Sequence, residues 1–466
     1  MSRKRYYRIV TGGALCLFTA SGQFALAQDE GGLLLTYGIE QRLEAGRNLE
    51  LSTPEEGAGT ISSTILSFGL SSETHIQRID FNATTALRLS DLAGRGSEAD
   101  VGDTRLQFAY EREAANAVLG VDAEYSSLDI GFLDALSDFR DDDGVIDLPS
   151  DFDDLTGRGT RRAYELGTSL ELGRQDMVGF ILSAEVSGID YSDTTDPDLS
   201  PNQTWELGGE VILRFSPTTT GRVELSTEDY SEDGGDETER TTNELAFGLA
   251  HDISPRTRID TYLGYSEIDE FDLIDGDTST SGIIGGIGLE YDMPNGVWTA
   301  DLDVSRDTSG RLQTFSIGRS LDIPDGVLAG TIGISRDPQD DTHLIGSLNW
   351  IQELGANDIS ARISRSITTS SDDESRVTTI ADVNYIWGLT PLSSISFGAA
   401  YAVTGETPTA GRIERTDISA IYNRSLTRDW SLNAGAIYRI RDEQGVGRSE
   451  SPLFLVSVGR DFAWRP

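Results

Sequence analysis

Three histidines, one cysteine and a large excess of carboxylates bound the chemistry open to this chain. Of His75, His251 and His343, only His343 has a nucleophile close behind it, Ser347. On a strand those two side chains share a face but stand about 13 Å apart, far beyond the hydrogen-bond reach that a Ser-His pair needs. There is also no Walker loop, no Cys/His metal cluster and no basic aromatic groove, so the chain reads as a non-enzyme that carries no cofactor. Asp141, Asp142 and Asp143 precede Gly144 without the spaced ligands of an EF-hand loop. The remaining chemistry is electrostatic. Lys4 is the only lysine, so every later cation is an arginine, the residue that pairs bidentately with carboxylates.

These charges are positioned by strands. In 204–215 the odd positions are Trp205, Leu207, Gly209, Val211, Leu213 and Phe215, while Glu206, Glu210 and Arg214 fall between them. In 256–266 Ile259, Leu263 and Tyr265 oppose Arg256, Arg258 and Asp260, and in 297–305 Trp298, Leu302 and Val304 oppose Asp301 and Asp303. One lipid-compatible face and one charged face, repeated with a period of two from Leu33 to Trp464, is the signature of an all-β transmembrane barrel. The 78 acidic residues and 50 glycines would suit a disordered chain, but regular alternation with aromatics does not.

The turns separate a barrel from a soluble sandwich. Short connections such as Ser216–Thr219, Asp292–Gly296 and Asp322–Gly326 carry Ser-Pro, Pro-Asn-Gly and Pro-Asp-Gly turn chemistry. They alternate with longer acid-rich stretches, among them Glu44–Ala58, Leu89–Asp103, Asp193–Asn202, Glu228–Glu239 and Glu267–Ser279. Short turns on one side and long loops on the other are what a large antiparallel transmembrane barrel requires. Counting hairpins predicts about 22 strands, within a range of roughly 16–22, with both termini on the short-turn side.

The N-terminus supplies the export route. Arg3, Lys4, Arg5 and Arg8 precede an apolar run and the Ala25-Leu26-Ala27 site, which divides the chain into a signal peptide, 1–27, and a barrel, 28–466. Cys16 lies within that signal, leaving no thiol chemistry beyond it. After it, no apolar run approaches the ~18 residues of a membrane helix, so a spanning fold must be a closed barrel. The first strand follows the signal so closely that no N-terminal plug is expected. The formal charge of −41 disfavours nucleic acid as a partner and favours divalent cations at the acidic loops.

The last stretch, Ser451–Pro466, alternates Phe454, Val456, Val458, Arg460, Phe462 and Trp464 with Leu455, Ser457, Gly459, Asp461 and Ala463. Its end, Ser457-x-Gly459-x-x-Phe462-x-Trp464, resembles the C-terminal β-signal of Gram-negative outer-membrane β-barrels. The resemblance implies a place in the outer membrane, among its lipid and lipopolysaccharide, and recognition by the barrel-assembly machinery. Phe462, Trp464, Trp298, Trp350, Trp387 and Trp430 are expected in interfacial girdles.

A plugless barrel of this width needs something to narrow it. The longest loop, Leu128–Arg161, is the third on its side and mixes large apolar residues, Phe132 and Phe152 among them, with Asp141, Asp142 and Asp143. In position alone it resembles the infolded third loop of general porins; the same composition would suit a surface lid or a calcium-binding loop. Arg214, Arg222, Arg256 and Arg258, with Glu206 and Glu210, are the pore-lining candidates, either setting a charge gradient or pairing with neighbours such as Glu210 and Glu224. The expectation is an outer-membrane channel for hydrophilic solutes. The alternatives are an exit barrel for exopolysaccharide and a closed structural or adhesion barrel.

Overall fold

The computed structural model describes residues 32–466, except 94, 133–134, 141–144, 156, 195, 197–198, 235–236, 274–275, 370–374 and 408–410. The signal peptide, 1–27, therefore lies outside the described residues, as do Asp141, Asp142 and Asp143.

Twenty-two antiparallel strands form one closed sheet. They are β1 (Gly32–Arg47), β2 (Ala58–Glu73), β3 (Gln77–Leu92), β4 (Gly96–Ala114), β5 (Ala117–Asp129), β6 (Thr160–Leu172), β7 (Val178–Ser192) and β8 (Asn202–Ser216). The wall continues with β9 (Thr219–Glu232), β10 (Thr238–Ser254), β11 (Thr257–Asp272), β12 (Gly276–Met293), β13 (Gly296–Asp307), β14 (Gly310–Ile323) and β15 (Gly326–Arg336). It ends with β16 (Thr342–Leu354), β17 (Asn357–Thr369), β18 (Ser375–Thr390), β19 (Ser393–Thr404), β20 (Ile413–Ser425), β21 (Trp430–Glu443) and β22 (Gly447–Trp464). Each strand pairs with its sequence neighbours, and β1 closes on β22 from Leu35↔Trp464 to Gly46↔Leu453. Closure leaves no open edge, so backbone groups are satisfied within the wall even where lipid surrounds it.

The period-two pattern sets the two faces. Trp205, Leu207, Phe215, Leu225, Leu263, Ile283 and Phe454 are all more than half exposed on the outside of an isolated barrel, an apolar surface that only lipid can cover. Glu206, Glu210 and Arg214 alternate inward with them. The chain is an outer-membrane-type β-barrel. Trp298, Trp350, Trp387, Trp430 and Trp464 all lie near strand ends at the short-turn side, the side on which β1 begins and β22 ends.

Several stretches expected as acid-rich loops are instead largely wall. Most of 89–103, 228–239 and 267–279 belongs to β3, β4 and β9–β12, leaving connections of only three to five residues at 93–95, 233–237 and 273–275. Strands of 16–19 residues outrun the roughly 9–11 that cross a bilayer. Above the lipid a ladder no longer needs an apolar outer face, so charged sequence continues as strand. The real long connection is the third, 130–159, with three short 3-10 helices, Ile130–Phe132, Leu136–Phe139 and Ser150–Asp153.

Candidate functional site: a loop anchored across the lumen

Large apolar side chains are buried where loops meet the inner wall. Leu136, Ile146 and Phe152 of the third loop pack on Ala400 and Ala402 of β19 and Ile413 of β20, with Phe139 edge-on to Phe152 at 5.4 Å between ring centroids. The loop leaves the wall at β5 and β6 and reaches β18–β20 on a distant arc of the ring. Small residues at 400 and 402 leave room for it: a larger side chain there would occupy the space of Leu136 and Phe152.

Polar contacts fix the register of this bridge. Arg362, Asp382, Ala400, Asp417 and Arg439 are successive cross-strand neighbours on the lumenal face of β17–β21. Arg140 Nη1 lies 3.1 Å from Asp382 Oδ2, and the Leu136 backbone N–H donates to Asp417 Oδ2 at 2.6 Å, so two carboxylates grip the loop on either side of Ala400. One row nearer the mouth, Arg415 sits 4.2 Å above the Phe152 ring and donates to the Leu155 carbonyl at 3.4 Å. Arg415 is 1% exposed, and burying its charge is tolerable because ring and carbonyl replace water around it. At the loop's root Asp151 accepts from Arg161 at 2.6 and 3.1 Å and from the Tyr191 hydroxyl.

The first loop, 48–57, adds a second plate. Leu49 packs with Ile61, Leu92, Leu453 and Leu455, and Phe132 of the third loop closes on the same cluster. Gly59 leaves space for this packing: an added Cβ would lie 2.8 Å from a terminal methyl of Leu92, which would have to shift. The Ser449 hydroxyl donates to the Leu51 carbonyl at 2.8 Å, and Arg95 holds Glu50 at 2.7 Å. Burial nevertheless pushes the Glu50 carboxyl above its ordinary range, outweighing the pull of Arg95 and Arg158. Arg88 is stacked on Phe132 at 4.2 Å and paired with Asp103 and, at 3.9 Å, Asp129.

The wall opposite β17–β21 carries one sign where that row carries both. Glu185, Glu206 and Glu228 are direct cross-strand neighbours inside β7–β9, with the pair Glu210 and Glu224 two rows nearer the short turns. The charge is therefore asymmetric across the lumen beneath the bridge, acidic on one wall and mixed on the other.

The residues singled out from sequence do not meet in one place. Phe132 and Phe152 are both in the bridge, each under an arginine. Glu210, Arg222 and Arg258 meet with Asp260 around a recess of about 100 Å³ near the short turns, where Arg222 pairs with Asp260 at 3.0 Å and Arg258 with the same residue at 3.8 Å. The acid that takes Arg222 is Asp260, two strands away, rather than Glu210 or Glu224. Arg214 turns to the connection between β6 and β7, donating to the Gly173 and Asp176 carbonyls at 2.9 and 3.0 Å. Arg256 is exposed beside a short turn, and Glu206 belongs to the acidic wall. His343 bonds Asp337 at 2.8 Å and Ser347 bonds Thr331 at 2.8 Å, so each has a partner other than its sequence neighbour.

No protein-family model matches the chain, and no curated protein matches it. Solved structures match its fold. The FrpB iron transporter from Neisseria meningitidis, in its F5-1 apoprotein form, is 8% identical with a TM-score of 0.61, over 93% of this chain and 82% of that one. The ferric-catecholate import receptor Fiu from E. coli K12 is 9% identical with a TM-score of 0.58, over 93% and 82%. The siderophore receptor PirA from Pseudomonas aeruginosa is 10% identical with a TM-score of 0.51, over 94% and 81%.

Proposed function

We propose that the protein is an outer-membrane channel that passes small hydrophilic solutes by diffusion, with the third loop as its constriction. The observation that carries this reading is the bridge. A loop rooted between β5 and β6 crosses the lumen and is held on β18–β20 by Asp382, Asp417 and Arg415, while connections such as 308–309 and 337–341 are too short to reach inward. The wall is therefore narrowed over one arc and left uncovered over another. The structural likeness to an iron transporter and to siderophore receptors supports transport as the class of function, and the asymmetric charge supports selection of solutes by field.

Conductance of the refolded protein in a planar bilayer tests it, for the intact chain and for a deletion of 132–154. Steady conductance that rises severalfold on deletion is expected. Heat-modifiable, inserted barrels that conduct in neither form would sink the channel reading in favour of a closed barrel.

A further inference from the structure

Below the bridge lies a cavity of about 610 Å³, within the range of small-molecule sites. Its lining is divided. Ile61, Ile421, Ile437, Leu453 and Leu455 all occupy lumenal positions of strands, where a water-filled pore calls for polar residues. They form an apolar shelf that Leu49 and Phe132 close from above. Six arginines line it around that shelf; Arg88 and Arg140 among them are held by Asp103 and Asp382. Arg439 stands beside the shelf with its buried Nε–H unmatched by any acceptor.

We infer that this cavity is a binding site for an amphipathic anion, a carboxylate or similar group carried on an apolar body. The apolar body would cover the isoleucine and leucine shelf, and the anionic head would lie among the arginines. Each half of the lining alone has another use: arginines could serve a simple anion path, and isoleucines could anchor the loops. Their juxtaposition around one cavity, open on one side to the lumen, is what matches a ligand with both characters. The acidic wall of β7–β9 faces this side of the lumen and would drive an anion toward it. The inference rests on the channel reading in taking this ligand as a transported solute, but binding can be measured without transport.

The test is calorimetric titration of 2-naphthoate into the refolded full chain in neutral detergent, with protein-free micelles subtracted. Acetate supplies the charge without the body, and naphthylmethylammonium the body with opposite charge. Saturable binding of naphthoate alone is expected, about tenfold weaker in Arg439→Gln and in Ile437→Asn, the loss of one charge-assisted or apolar contact. Refolding is checked by heat-modifiable migration, and either variant suffices if the other does not fold. Absence of saturable naphthoate binding, equal binding of the ammonium probe, or unchanged binding in the folded variants would overturn the inference. Conductance separates the two readings: a conducting barrel that does not bind naphthoate leaves the channel standing and removes the site. Binding without conductance does the reverse.

Discussion

The two arcs of the lumen are built from the same alternation and have different contents. Over β17–β22 and β1–β6 the wall carries lumenal alanines, isoleucines and leucines, and two loops fold down onto them. Over β9–β16 the inner face is mostly polar, with Ile268 and Ile284 as buried exceptions, and the 308–309 and 337–341 connections are turns. Strand length does not follow this division: β12 of the polar arc has 18 residues, whereas β19, on which the third loop is anchored, has 12. A strand becomes part of a site when its inward positions lose their charge, because only an apolar inner face gives a loop area to bury.

Breaking the anchored arc should have the largest effect. Asp382 is 2% exposed, and Asp382→Ala leaves Arg140 without this carboxylate in a dry interface. Removing one member of a buried pair costs about 3–5 kcal/mol, enough to change the docking equilibrium by roughly two decades or more. Amide exchange over 136–155 should accelerate accordingly, and conductance should move toward that of the loop deletion. Asp260→Asn on the other arc is the control. Its partner Arg222 is about one-third exposed, the pair is worth at most about 1 kcal/mol, and exchange in the third loop should stay unchanged.

Phe152→Ala should come next. It removes the ring beneath Arg415 and the edge contact with Phe139 and leaves a cavity against Ala402, a change that costs about 3 kcal/mol in a well-packed site. Partial rather than complete opening is expected, seen as two conductance levels in single-channel records. Arg214→Ala should do less: it removes donors to two turn carbonyls at the short-turn end, about 1 kcal/mol of stability, with conductance unaffected. A change in conductance equal to that of Asp382→Ala would erase the distinction between the arcs.

What could be read in advance follows the range of the interaction. Strand number, sidedness and the alternation of Trp205, Leu207 and Phe215 against Glu206 and Glu210 are local, so the period of two carries them. The anchors are not: Arg140 and Asp382 are 242 positions apart, and Leu136 and Asp417 are 281 apart. No spacing rule links such residues before the ring is closed. A signal was nonetheless present. Leu453 and Leu455 interrupt the small and polar face that runs through Ser451 and Ser457, and Ala400 and Ala402 do the same in β19. Breaks in the inward pattern mark where the wall receives something. The acidic stretches misled in the opposite way, because charge on both faces was taken for loop where the wall had only risen out of the lipid.

The smallest expected effect sharpens the comparison within the anchored arc itself, between its two loops. The third loop is held by buried pairs, whereas the first includes Glu50, whose folded-state pKa lies above the ordinary 4.5 because burial outweighs Arg95 and Arg158. An acid shifted this way holds its proton more tightly when docked than when free. Its contribution to docking is therefore fully present below pH 4.5 and is lost as pH rises through the higher folded value. Protection of the Leu51 amide, which donates to the Asn48 carbonyl, should rise as pH falls from 7 through that window, after correction for the intrinsic exchange rate. Glu50→Gln should flatten the dependence, because no proton is then taken up. If the wild type loses protection on acidification instead, the Arg95 pair outweighs burial, and the first loop is held by charge in the same way as the third.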